Sequence, residues 1–242
     1  MNANFQWHQG ADSISLAEHL AGEIVSVIND AIVEKGVAIM ALSGGSTPKP
    51  MFQALAEHDV DWSKVVVTLV DERWVDESHA LSNGAFLKQH LLSHIEGTQP
   101  TFVSLYQAAQ SVAASCELVL SDYCDKTNSS LSSPSSFDVV VLGMGGDGHT
   151  ASFFPDAPNI ADLVESNQKE FLLTCESPTT QVERITWSVP MLLKTSFLAL
   201  HFTGEAKSAV FQNAVDGRDA TELPIRSVIF QDKKELNVFY AD

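Results

Sequence analysis

Residues suited to proton transfer and to anion binding lie together between Phe137 and Pro155. Four glycines fall within the six residues 143–148, where they flank Asp147 and lead directly to His149. A histidine side chain has an ordinary pKa of about 6.5, so it can accept and return a proton near neutral pH. Glycines let backbone N–H groups approach an anion closely. The segment predicts acid–base chemistry with His149 as the base, and Asp147 either orients it or forms the turn.

The apolar run Val139–Leu142 precedes these residues and predicts a buried parallel strand. Ligands of open α/β sheets bind in loops at the carboxyl ends of such strands. The glycine spacing also matches the dinucleotide-binding fingerprint, which requires a full crossover helix after the glycines. Pro155 would stop a helix that begins at His149 after about two turns. The sequence therefore disfavours a nucleotide-binding fold.

A second glycine loop follows the predicted strand Val37–Leu42. A helix is predicted from the loop to about His58, with Thr47 as N-cap and Pro48 at the first helical position. A strand, a glycine loop and a helix start in succession form an anion site, because free N–H groups and the helix dipole attract negative charge. We expect this loop to bind a phosphate, and its residues are Ser43, Gly44, Gly45, Ser46 and Thr47.

Charged residues follow another predicted buried strand, Val65–Val70, in the segment Asp71-Glu72-Arg73-Trp74. Their place after such a strand favours a functional role. The planar guanidinium of Arg73 suits either a phosphate or a developing oxyanion. Arg184 and Lys207 are candidate counter-charges for the phosphate. Whether Arg73 or Arg184 holds the phosphate stays open.

The rest of the chain alternates between helical and strand patterns. Further helices are predicted over Asp12–Glu34, Ser78–Leu92, Gln107–Lys126 and Glu205–Val215, and further strands over Phe171–Cys175, Ser196–Phe202 and Leu236–Tyr240. Such alternation predicts an α/β fold around a mostly parallel sheet. The 242 residues suffice for one large domain or two small ones.

The formal charge is −17, from 14 Lys+Arg against 31 Asp+Glu, and this balance disfavours nucleic-acid binding. The field of the whole chain would also repel a phosphate, so basic residues must gather at the site. The candidates for this role are Arg73, Arg184, Lys49, Lys194 and Lys207.

Other compositional features indicate a cytoplasmic protein. The longest uninterrupted apolar runs are far shorter than a membrane span, and residues 1–10 lack the pattern of a secretory signal. The three cysteines have no metal-type spacing and are expected to be reduced thiols. We expect no metal, no cofactor and no membrane partner, and either a monomer or a small homo-oligomer.

Four segments together resemble the 6-phosphogluconolactonase family: Gly143–Pro155, Ser43–Pro48, Asp71–Trp74 and Arg184-Ile185-Thr186. The family shares a superfamily with glucosamine-6-phosphate deaminase and ribose-5-phosphate isomerase. The resemblance implies a Rossmann-like three-layer, NagB-like fold in one domain, residues 1–242. It also implies hydrolysis of the sugar phosphate lactone 6-phospho-D-glucono-1,5-lactone, a step of the oxidative pentose phosphate pathway. By this resemblance Asp71, Arg73 and His149 match functional positions.

Two alternative functions are considered. Amino-sugar phosphate deaminase/isomerases carry Asn-Glu-Pro after the Gly-His segment, whereas this chain has Phe153-Phe154-Pro155, and an apolar pair cannot relay protons. A non-catalytic sugar-phosphate sensor of a transcription regulator would need a DNA-binding module. The 36 residues before the first predicted strand hold one helix and one basic residue, Lys35, which does not fit a helix-turn-helix.

Overall fold

A seven-stranded sheet forms the centre of the structure, a computed structural model that describes residues 3–242. In spatial order its strands are β1 (Phe5–Gln9), β10 (Leu236–Ala241), β9 (Thr195–Thr203), β6 (Phe137–Leu142), β2 (Ala38–Leu42), β3 (Val65–Leu69) and β5 (Thr101–Val103). All six neighbouring pairs run parallel. From β2 the chain adds strands on one side, and from β6 it adds them on the other. The order therefore reverses between β2 and β6, where open sheets form a ligand crevice.

Helices cover both faces of this sheet. They are α1 (Ser13–Lys35), α2 (Lys49–Glu57), α3 (Asn83–His90), α4 (Val112–Lys126), α5 (Ile160–Leu163), α6 (Val189–Leu192), α7 (Glu205–Asp216) and α8 (Arg226–Ile229). Lys35 of α1 pairs with Asp138 on one face, and Tyr123 of α4 packs against Phe137 on the other. Burial on both faces explains why β2, β3 and β6 read as continuous apolar runs. Of the helices described, none has the length and apolarity to cross a membrane.

A second, antiparallel sheet lies beside the first and was not predicted. Its strands in order are β4 (Asp71–Arg73), β8 (Glu183–Trp187) and β7 (Leu172–Glu176). Trp187 joins the two sheets, because its fully buried indole donates a hydrogen bond to the carbonyl of Leu69 at 3.0 Å. The Trp187 ring also packs edge-on against Tyr123 and Phe137. This packing fixes the small sheet, which carries three charged residues of the predicted site.

Three predicted helix starts are wrong, and capping hydrogen bonds explain two of them. Helix α3 begins at Asn83 rather than Ser78, because Ser82 caps it by accepting from Ala85 N–H at 3.1 Å. Helix α4 likewise begins after its cap, Ser111, and not at Gln107. Helix α2 begins at Lys49, and its N-cap is Pro48, which has no side-chain acceptor, rather than Thr47. Loops before helices carry helical patterns in sequence, and only the cap marks the boundary.

We expect Trp187→Ala to lower the free energy of unfolding by about 3–5 kcal/mol, because it leaves a cavity between the sheets and an unpaired carbonyl at Leu69. Urea denaturation followed by circular dichroism measures this change. Leu131→Ala is the control, since Leu131 is 56% exposed and its truncation should change stability by less than about 0.5 kcal/mol. Equal effects of the two substitutions would contradict the joining role of Trp187.

Candidate active site

A cavity of about 270 Å³ lies at the carboxyl ends of β2, β6 and β9, at the point where the strand order reverses. The structure brings nearly all of the predicted site residues to its wall. Those that line it are Ser43, Gly44, Gly45, Ser46, Thr47, Asp71, Arg73, His149, Arg184 and Lys207. Asp147 does not line the cavity, but its carboxylate contacts the His149 ring. Lys49 and Lys194, considered as counter-charges from the sequence, do not line the cavity.

The loop after β2 has the features of an anion site. Ser43 anchors it, because its Oγ accepts a hydrogen bond from the N–H of Gly143, at 3.0 Å, in the loop after β6. Gly45 adopts the left-handed region, with φ +96°. Gly44 packs so closely on Asn83 that a Cβ at this position would overlap the amide oxygen. Within residues 3–242, the N–H groups of 44–47 have no hydrogen-bond acceptor, so they remain free to bind one from a ligand at the start of α2.

His149 and Asp147 form a hydrogen-bonded pair at the edge of the cavity. The Nδ1 atom of His149 lies 2.5 Å from Oδ1 of Asp147, which also accepts from the backbone N–H of His149 at 3.2 Å. Burial raises the pKa of the Asp147 carboxyl, but its hydrogen bonds and charge interaction with His149 outweigh burial and leave the pKa below its ordinary value. An ionised Asp147 requires a proton on Nδ1, so the lone pair of the neutral ring resides on Nε2. This is the arrangement of a general base with an orienting carboxylate.

The chain after His149 does not form the crossover helix of a dinucleotide site. Turns occupy the next residues, Ala151 has φ +48°, and the following helix, α5, begins only at Ile160. A positive φ at alanine is a strained backbone conformation of the kind that occurs at functional sites. The glycine spacing of this segment thus serves a tight loop, as Pro155 indicated.

Two arginines lie opposite each other in the small sheet, Arg73 on β4 and Arg184 on β8. Arg184 is buried, and its Nη1 lies 3.5 Å from Oδ2 of Asp71. Burial lowers the pKa of Arg184 and the nearby charge of Arg73 adds to this effect, whereas Asp71 raises it. Like charges on cross-strand partners repel, so an anion between them would be stabilised. In the part of the chain that the structure describes, no group of three or more His, Cys, Asp or Glu residues is placed to hold a metal ion.

Phe154 packs against His149 and Arg184. Its ring centroid lies 4.4 Å from that of His149, and the guanidinium carbon of Arg184 lies 4.7 Å from the same ring. The side chain is buried. Phe154 does not line the cavity itself but forms an apolar support for the two side chains that do.

Four residues of the site were missed or left undecided by the sequence analysis. Ser152 donates to Asp71 at 2.6 Å, and Asn83 lines the cavity and donates to the Asp71 carbonyl at 3.0 Å. Glu72 is buried and accepts from the backbone N–H groups of residues 73, 83 and 84 and from the hydroxyl of Ser82. His201, which the sequence analysis did not single out, is buried and lines the cavity. An Asp-Glu pair after a buried strand was a signal for Glu72, whereas the sequence gives no local signal for His201.

The sequence profile described as glucosamine-6-phosphate isomerases/6-phosphogluconolactonase matches residues 11–238 of this chain. The chain belongs to this family. It is 37% identical to a 6-phosphogluconolactonase of Mesorhizobium japonicum over 99% of this chain and 96% of the relative, and 36% identical to one of Rhizobium meliloti over the full length of both. The crystal structure of a 6-phosphogluconolactonase from Shewanella baltica is similar with a TM-score of 0.88 and 31% identity, over 98% of both chains. These matches confirm the predicted family and the α/β fold of its superfamily.

Gly145→Ala should lower kcat by about 10²-fold, because a Cβ there would overlap the His149 ring and displace it. Gly146→Ala is the matched control, since nothing lies within 4 Å of a Cβ at that position. Hydrolysis of 6-phospho-D-glucono-1,5-lactone by the two variants is the measurement. If both variants retained the wild-type kcat, the position of His149 would not matter for turnover.

Proposed function

We propose that the chain hydrolyses 6-phospho-D-glucono-1,5-lactone to 6-phosphogluconate, with His149 as the general base. The reaction is the one for which the related 6-phosphogluconolactonases are named. One observation carries the assignment: the Asp147–His149 pair lies at the same cavity as the loop with free N–H groups. Three cationic side chains also line this cavity, those of Arg73, Arg184 and Lys207. Hydrolysis of a phosphorylated lactone requires a base, hydrogen-bond donors that bind the phosphate, and a cation that stabilises the oxyanion.

The phosphate of the substrate binds to the N–H groups of Gly44, Gly45, Ser46 and Thr47, with the dipole of α2 behind them. Lys207, in the first turn of α7, supplies a nearby positive charge. Burial lowers the pKa of Lys207 from its ordinary value. Binding of a phosphate dianion beside it favours the charged form of the lysine.

In the reaction, Nε2 of His149 takes a proton from water while the water oxygen attacks the lactone carbonyl carbon. The carbonyl π electrons move to oxygen, and the guanidinium groups of Arg73 and Arg184 stabilise the resulting oxyanion. When the oxyanion collapses, the bond to the ring oxygen breaks, and the imidazolium of His149 returns its proton to that oxygen. Asp147 keeps the ring in the required tautomer and orientation.

The apolar contact between Phe154 and His149 favours lactone hydrolysis over deamination of an amino-sugar phosphate. Ring opening of an amino sugar needs a further acid, and Phe154 occupies that position with a ring 4.4 Å from His149. A purely binding role is disfavoured by the Asp147–His149 pair, because a sensor has no use for an oriented base. Asp71 holds Arg184 and Ser152 and is proposed as part of the catalytic group through these contacts.

We also propose that residues 1–242 form one domain, since the first and last strands pair within the same sheet. A cytoplasmic location agrees with Cys116, Cys124 and Cys175, all of which are free thiols. The oligomeric state and the absence of a nucleic-acid partner stay predictions.

Stopped-flow hydrolysis of freshly generated 6-phospho-D-glucono-1,5-lactone, corrected for spontaneous hydrolysis, tests the function. We expect rapid turnover by the wild type and a loss of about 10²–10⁴ in kcat for His149→Ala, because that change removes the base. His58→Ala is the control, since His58 is exposed at the other end of α2.

Glucono-1,5-lactone and glucosamine 6-phosphate are assayed in parallel. Ammonia release from glucosamine 6-phosphate would assign the chain to the deaminases. Tight binding of 6-phosphogluconate without any acceleration of lactone hydrolysis would make it a sensor. An unchanged kcat in His149→Ala would remove this residue from the mechanism while leaving the reaction assigned.

A further inference from the structure

His201 is a buried polar residue at the base of the cavity. Its side chain is 3% exposed and contributes to the cavity lining. Neither of its ring nitrogens has a hydrogen-bond partner among residues 3–242. Buried polar groups almost always have such partners, because burial without a hydrogen bond is unfavourable. The exception at His201 therefore points to a ligand as the missing partner.

The sheet register places His201 at the end of the cavity that holds the N–H loop, residues 43–47. Leu200 pairs with Leu142 between β9 and β6, so His201 lies next to the start of the glycine loop at Gly143. Gly143 in turn donates to Ser43, the first residue of the N–H loop. One strand, β6, therefore separates β9, which carries His201, from β2, whose following loop binds the phosphate in the proposed function.

The direction of the side chain agrees with this placement. Phe202 packs on Phe211 of α7, so the preceding residue, His201, points to the opposite face of the sheet. Phe239 is the cross-strand partner of His201, and its ring packs against His19 of α1. Helix α2, whose start carries the N–H loop, packs against α1 on that same face.

The environment keeps His201 neutral. Burial and the positive charge of Lys207 lower the pKa of His201 to about 4. A neutral imidazole carries one N–H donor and one acceptor nitrogen. Lys207 and the free N–H groups nearby are all hydrogen-bond donors, as is the ring N–H of His201. A ligand oxygen that only accepts hydrogen bonds, as in a phosphate dianion, fits this group of donors.

We propose that His201 determines specificity for the phosphate end of the substrate, to which a ring N–H donates a hydrogen bond beside Lys207. This role rests on the proposed function, because that function supplies the phosphorylated ligand. His201 adds a donor without adding positive charge. It distinguishes a phosphate from the neutral hydroxymethyl group at the same position of an unphosphorylated sugar lactone.

His201→Leu should raise KM for 6-phospho-D-glucono-1,5-lactone by about 10-fold and leave kcat within about twofold, because it removes one hydrogen bond to a charged group. For glucono-1,5-lactone, kcat/KM should change by less than about twofold. His201→Asn and His201→Gln each retain an amide donor, and recovery of KM by either one indicates the ring nitrogen that donates. His8→Leu is the matched control, since His8 is a histidine of the same sheet that does not line the cavity.

Calorimetry with 6-phosphogluconate and gluconate gives a readout that does not depend on catalysis. The wild type should prefer 6-phosphogluconate, and His201→Leu should lose about 10-fold of that preference. If the wild type did not hydrolyse the lactone, the proposed function would fail, and this comparison would still test His201.

Ring ¹H–¹⁵N spectra of the wild type avoid any dependence on variant folding. Addition of 6-phosphogluconate or inorganic phosphate should shift the His201 N–H proton downfield, and gluconate should not. Three results would each overturn the proposal. They are an equal loss of kcat/KM on both lactones in His201→Leu, a fall in kcat alone in that variant, and a His201 signal that does not respond to phosphate.

Discussion

The buried carboxylate of Asp71 is the interaction on which the cavity depends. Its Oδ2 accepts from Ser152 in the loop after β6 and faces Arg184 on β8, while its backbone carbonyl accepts from Asn83 of α3. A charge taken out of water must be compensated by close partners, so these contacts hold together whenever the protein is folded. Segments that lie 81 and 113 residues after Asp71 in sequence thus share one anchor.

The charge of the chain poses a problem that the site solves locally. A net charge of −17 repels a sugar phosphate at long range. Pairing Arg73 with Arg184 across two strands and adding Lys207 concentrates positive charge at the wall of the cavity. Charges in contact with a ligand interact strongly with it, whereas the repulsion from the surrounding surface decays over about 8–10 Å at physiological ionic strength.

Sequence patterns predicted the parts of the fold in which local composition and tertiary environment agree. The strands buried on both faces follow from apolar runs, and most of the cavity-lining residues lie where those runs end in glycine or charge. The antiparallel sheet was missed because β4 has only three residues, too few for a pattern. His201 was missed for a different reason: it stands in an apolar strand, and only the spatial order of β9 and β6 brings it to the cavity.

The parallel pairing of β1 with β10 has a consequence for the order in which the sheet forms. Phe5 faces Leu236, so the partner of β1 lies more than two hundred residues further along the chain. The strands β2, β3, β5 and β6 all lie within residues 38–142, so their pairings close much shorter loops. Pairing of β1 with β10 is therefore a late, high-contact-order event in folding, and β1 keeps unpaired backbone groups until it occurs. Removal of β10 would leave β1 without its partner in the sheet.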